Sequence, residues 1–115
     1  EIPAQLAVRA GNAPKSVASA NKAHMLTAED LSHLFLDSPF VDALQQDLEQ
    51  QIIGDHCGMI PREVAAKIAQ TQRLRDAWMA REMMRAQAAV PESRVVMIAG
   101  GGHTRQDRGI PWYLR

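Results

Sequence analysis

Aromatic residues are scarce in this chain of 115 residues: two Phe, two Trp and one Tyr. The interior must therefore come from aliphatic side chains, and the hydrophobic share of 46% includes 18 alanines, so burial is thin and suits closely packed helices. Cysteine is nearly absent, and the lone Cys57 excludes an internal disulfide. Excess charge of either sign is lacking, with 13 Lys and Arg against 13 Asp and Glu scattered without runs. That balance leaves no electrostatic footprint for nucleic acid or for an anionic lipid surface. Long apolar runs are missing too, and nothing approaches the roughly 18 residues that a bilayer span needs. The chain opens on Glu1 with no basic-then-apolar leader, which suggests a processed protein or a piece of a longer one. One domain over residues 1–115 is the expected organisation.

What is present reads as alternating elements. Residues 5–10 (Gln5 to Ala10) form a short strand or extended entry closed by Gly11, Asn12 and Pro14, and residues 14–23 suit a short helix. Thr27 followed by Glu29 and Asp30 starts another helix ahead of Leu31, Leu34 and Phe35. Asp37 or Ser38 caps the next, with Pro39 in its first turn, Val41, Leu44, Leu48 and Ile52 on one face, and Gly54 at its end. The longest periodic run, 61–89, is a helix with Val64, Ile68, Leu74, Trp78 and Met83 near helical spacing. Val90 and Pro91 break it. The β-branched run Arg94 to Ala99, bounded by Gly100, Gly101 and Gly102, then suits a strand buried on both faces. Long helix, buried strand and glycine loop together predict an α/β class: a helix-rich partial α/β domain with a small sheet. Two short strands cannot cover each other, so the sheet is expected to be completed by missing sequence or by a homodimer partner.

Three segments carry candidate chemistry. Gly101, Gly102 and His103 follow the carboxyl end of the expected strand, where glycines let a ligand approach backbone N–H groups and the imidazole projects into a crevice. There His103 serves as a metal or haem ligand or as an acid or base; alternatively the glycines merely reverse the chain. The segment Asp55 to Met59 sets His56, Cys57 and Met59, all soft or borderline ligands, in one turn between helices. The plainer reading makes Cys57 a small hydrophobe at a helix corner, and no second cluster supplies a closed zinc site. On the long helix Gln72, Asp76 and Met79 share a face at i, i+4 and i+7. Buried polar groups there need partners, so these residues line a site beneath His103 or else form an ordinary intrahelical bond with Met79 in the core. Arg105, Arg108 and Arg115 follow the glycine loop, either pairing with carboxylates or lying in solvent.

Five stretches taken together resemble the carboxyl-terminal half of the ChaN family, bacterial haem-binding lipoproteins of the Tiki and erythromycin-esterase-like superfamily. They are Gly11 to Pro14, His56 to Pro61, Gln72 to Ala80, Ile98 to His103 and Gly109 to Leu114, in the family's order. Where the family carries Gly-Asn-Gly-His this chain has Gly100-Gly101-Gly102-His103, which removes the Asn amide and keeps the histidine. The family's amino-terminal Gly-Glu-x-His has no counterpart here. The resemblance implies a haem-binding, non-catalytic protein of bacterial iron uptake at the cell envelope. It implies an outer-membrane or periplasm-facing lipoprotein that meets the membrane only through a lipid anchor on the missing amino-terminal part. Such a site needs an axial donor, from His103, His56, Met59 or Tyr113; an apolar slot, from Met79, Met83, Trp78 and Ile98; and cations for propionates, from Arg75, Arg105 or Arg108. Asp76, Cys57, Gly101 and Gly102 complete the candidate cofactor site, with His103 and His56 as candidate metal ligands. A metal-assisted or acid/base hydrolase using a divalent metal is the competing reading, with His103 as base or ligand and its carboxylate supplied by the missing half.

Overall fold

The computed structural model describes residues 28–33 and 40–114. In chain order these form a short helix α1 (Ala28–His33), α2 (Asp42–Asp55), the 28-residue α3 (Arg62–Ala89) and a 3₁₀ turn (Ile110–Leu114). The expected short strand 5–10, the helix at 14–23 and the capping residues Thr27, Asp37 and Ser38 lie outside the described residues.

Helix α2 begins at Asp42 with Val41 as its cap residue and no side-chain cap, and the expected first-turn Pro39 lies outside the described residues. It also runs past Gly54 to Asp55. Its end is set by two successive left-handed residues, Cys57 at φ 56° and Gly58 at φ 72°. They let the Gly58 N–H reach back to the Ile53 carbonyl at 2.8 Å and turn the chain into Pro61. Pro61, extended, caps α3, whose Val64 and Ala65 amides both donate to its carbonyl.

Helices α2 and α3 pack through Leu48 and Ile52 on one side and Ala65, Ala69, Leu74, Ala77, Met79 and Ala80 on the other. The buried face of α3 is largely alanine, as the composition led one to expect. It is displaced from the predicted stripe: Val64 is exposed, and Ile68, Trp78 and Met83 flank the core half-buried. Small side chains allow close helix approach, and the charged Arg62 Nε seals one end by donating to the buried Glu49 carboxylate at 2.9 Å. Gln45 donates to the same carboxylate at 2.9 Å, and these two bonds, Gln45 first, hold Glu49 below the ordinary carboxylate range.

Beyond α3 residues 94–100 form neither helix nor strand, and the chain then folds back across α3. Here the expected α/β class fails: among the described residues the structure is helical, with no strand and no sheet. Nor is the segment buried on both faces as expected: Val95, Met97 and Ala99 are half-buried, while Val96 is 72% and Ile98 95% exposed. Among the described residues it has no ladder partner, and a segment without one is not a strand. Its β-branched composition predicted a strand that the structure does not form; pairing is a tertiary property that composition does not contain.

The 3₁₀ turn anchors the chain's return. Tyr113 and Ile110 are buried against α3, and Phe40, Trp112 and Tyr113 stack edge to face at centroid distances of 5.1 and 4.8 Å. The turn leading into it is tight: Ile110 N–H donates to the His103 carbonyl at 2.7 Å and Gly109 N–H to the Arg105 carbonyl at 2.8 Å. A Cβ at Gly109 would stand 2.3 Å from the His103 carbonyl oxygen, so the backbone itself forbids a side chain there. Gly109→Ala is expected to lower unfolding free energy by about 1–3 kcal/mol in urea titration. Gly101→Ala, where a Cβ meets nothing within 4 Å, should stay within about 0.5 kcal/mol of the parent. Equal stability of the two variants would contradict the clamp.

Candidate functional site

The turn that Gly109 makes possible brings His103 onto the middle of α3. Its Nδ1 lies 2.5 Å from Oδ1 of Asp76. The Asp76 side chain is 1% exposed and that of His103 is 29% exposed, so the carboxylate sits behind the imidazole and the ring is the solvent-facing member. In the neutral ring, an Nδ1–H donated to Asp76 leaves the lone pair on Nε2, which has no hydrogen-bond partner among the described residues. The second carboxylate oxygen, Oδ2, is also buried without a donor.

Backbone bonds hold the ring from both ends. The His103 N–H donates to Gly100 O at 2.9 Å, its carbonyl accepts from Ile110, and Thr104 Oγ1 donates to Gly101 O at 3.1 Å. Gly102 lies against the helices, where a Cβ would stand 3.3 Å from Gln51 Nε2 and 3.6 Å from Gln72 Nε2. Three elements therefore meet here: α2 through Gln51, α3 through Gln72 and Asp76, and the glycine loop through Gly102 and His103. Gln51 was not foreseen, since one glutamine among several on a polar helix carries no signal; its Oε1 is buried and unpartnered. The turn-forming role of Gly109 and the bond of Arg73 to Tyr113 were likewise not foreseen, because both depend on the return of the chain.

The ionisation of the pair follows from its placement. Burial pushes the Asp76 carboxyl above its ordinary value, against the opposing pull of the His103 hydrogen bond. The bond to Asp76 raises His103, opposed by burial and by the positive charge of Arg75. Arg75 is exposed beside this pair.

The remaining candidates lie elsewhere. His56 bonds through Nδ1 to Ile52 O at 2.7 Å at the end of α2, Cys57 is an exposed turn residue and Met59 is 81% exposed. None of them hydrogen-bonds to the Asp76 and His103 pair, and among the described residues no group of three or more His, Cys, Asp or Glu is placed to hold a metal ion. Met79 is 1% exposed in the core. Tyr113 is 1% exposed, accepts a hydrogen bond from Arg73 Nε at 3.2 Å, and burial drives its phenol up to about 12. Arg73 in turn lies 4.0 Å over the Phe40 ring, so this tyrosine braces the fold. Arg105 grips Asp107 through Nε at 2.9 Å and Nη2 at 2.8 Å, which holds Asp107 below the usual carboxylate range. Arg108 is buried and reaches the same carboxylate only at 3.4 Å.

The helical scaffold thus sets the partly exposed imidazole of His103 against a buried carboxylate, beside an exposed arginine. The chain is a member of the haem-binding uptake family ChaN of the Tiki superfamily, whose family model matches residues 3–114. No curated protein and no solved structure matches it.

Both members of the pair bind protons more tightly in the folded chain than in the unfolded one. Their contribution to stability is therefore present at low pH and lost as pH rises: for Asp76 upward from the ordinary value of 3.8, and for His103 upward from 6.5 through its raised value. In the ligand-free chain the melting temperature should fall between about pH 6.5 and the end of the His103 titration. His103→Gln should lack that limb; a limb of equal depth in the variant would contradict the pairing.

Proposed function

We propose that the chain binds haem for bacterial iron uptake and does not itself catalyse a reaction. The observation that carries this reading is the partly exposed His103 ring whose Nδ1 is held by the buried Asp76 carboxylate. Family membership supplies the ligand class. The residues fit such a group: a carboxylate-backed imidazole is a good axial donor, Arg75 stands exposed for a propionate, and Val96 and Ile98 present apolar surface just before the glycine loop. Tyr113 drops out of the donor set on this reading, since ligation would cost both its burial and its bond to Arg73. When bound, haem supplies the iron as cargo, and the chain's residues only hold and release it. The same reading places the protein at the cell envelope, anchored by lipid on an amino-terminal part and working as a homodimer; these follow the family likeness, and envelope fractionation and light scattering test them.

A second reading, an acid/base or metal-assisted hydrolase, draws on one observation: Asp76 supplies from within this chain the carboxylate that His103 would need as a base. Turnover of an ester or peptide panel that His103→Ala abolishes would replace the haem reading.

Titration with haemin should give a saturable Soret shift. His103→Ala should lose more affinity than the roughly 10–100-fold typical of removing a supporting partner, whereas Tyr113→Phe should keep the spectrum. No spectral change in the parent chain would refute the reading.

A further inference from the structure

We propose that the loop carrying Arg105, Asp107 and Arg108 is a binding site for a phosphoryl-type oxyanion, in which the Asp107 carboxylate stands in as occupant when no ligand is bound. These side chains share no hydrogen bond with the Asp76 and His103 pair, and the site does not depend on the haem reading.

Two guanidinium groups converge here on one carboxylate. Arg105 grips Asp107 with a fork, Nε to Oδ1 at 2.9 Å and Nη2 to Oδ2 at 2.8 Å, so both carboxylate oxygens are bound by Arg105. Arg108 is left with Oδ2 alone, 3.4 Å from its Nη2. Its Nε and Nη1 are buried and have no partner among the described residues, in a side chain only 5% exposed. A buried guanidinium so poorly paired is unfavourable. It is nonetheless held beside Arg105, because the Gly109 N–H closes the turn that carries both by donating to the Arg105 carbonyl at 2.8 Å. What the two arginines lack is a third oxygen. A carboxylate has only two, whereas a tetrahedral phosphoryl group has three and a second negative charge, so it can meet the Arg105 fork and Arg108 together. The Asp107 side chain is 45% exposed and has room to swing out into water. The opposing charge is Asp47 of α2, exposed and facing Arg105. Against it a monoanion gains little, and a dianion is favoured. That preference sets the site apart from one built for a propionate.

The test is calorimetric titration of the full chain with inorganic phosphate and with acetate, followed in parallel by the ¹⁵N–¹H signal of Arg108 Nε. Phosphate should bind saturably, at least about tenfold more tightly than acetate, as one further charge-assisted bond predicts, and should shift the Arg108 signal. Asp107→Asn removes the resident charge and should tighten phosphate binding by about tenfold or more. Arg108→Gln in that background should abolish the gain. Glycerol phosphate set against inorganic phosphate separates a phosphomonoester from the free ion, and whichever binds more tightly names the source. Phosphate bound no more tightly than acetate, or no gain in Asp107→Asn, would overturn the proposal, and so would a gain that survives the loss of Arg108. Should the variants fail to fold, an Arg108 signal that phosphate and acetate shift alike, or that neither shifts, would overturn it equally.

Discussion

The hydrogen bond between His103 and Asp76 ties the chain's return to the middle of its longest helix, and most of what surrounds it is arranged to keep that bond. A carboxylate this deeply buried is costly unless it is paired, and its partner is the one group that also faces solvent. The bond therefore does two things at once. It offsets the burial of Asp76, and it fixes which nitrogen of His103 is offered outward. Losing His103 would leave an uncompensated charge in the core; losing Asp76 would leave an imidazole of undefined tautomer.

The support for this bond is spread through the fold. Alanines at 65, 69, 77 and 80 let α2 and α3 approach closely, which brings Gln51 and Gln72 beside Gly102. The aromatic stack of Phe40, Trp112 and Tyr113, tied to α3 through Arg73, holds the chain after the loop. Gly109 permits the tight turn between loop and stack. Tyr113 and His103 thus have separate duties: one is sealed inside and anchors, the other is partly exposed and presents a donor.

Local features were readable from the residues. Pro61 and the broken periodicity at Val90 bounded the long helix closely, because capping and helix breaking act within a few residues. Asp76 stood out as a polar group on an apolar face, read either as lining a site beneath His103 or as an intrahelical partner of Gln72, and the structure bonds it to His103. Other features depended on long-range contact. The run 94–99 was read as a buried strand, but pairing depends on a neighbour, and no strand or sheet forms among the described residues. The dense ligand types at His56, Cys57 and Met59 reflect the end of a helix: two left-handed residues and a ring bonded to its own helix. Tyr113 looked like a donor by type, and only its placement shows it braced against Arg73.

The central claim is that Asp76 fixes His103 with its proton on Nδ1 and a bare Nε2 facing outward. The ring ¹⁵N shifts and two-bond ¹⁵N–¹H couplings of His103 in the ligand-free chain, above the pH at which the ring loses its second proton, read this directly. The account predicts a protonated Nδ1 with a strongly downfield proton and an unprotonated Nε2, both altered when Asp76 is changed to Asn. A ring protonated on Nε2, or one indifferent to Asp76, would contradict it.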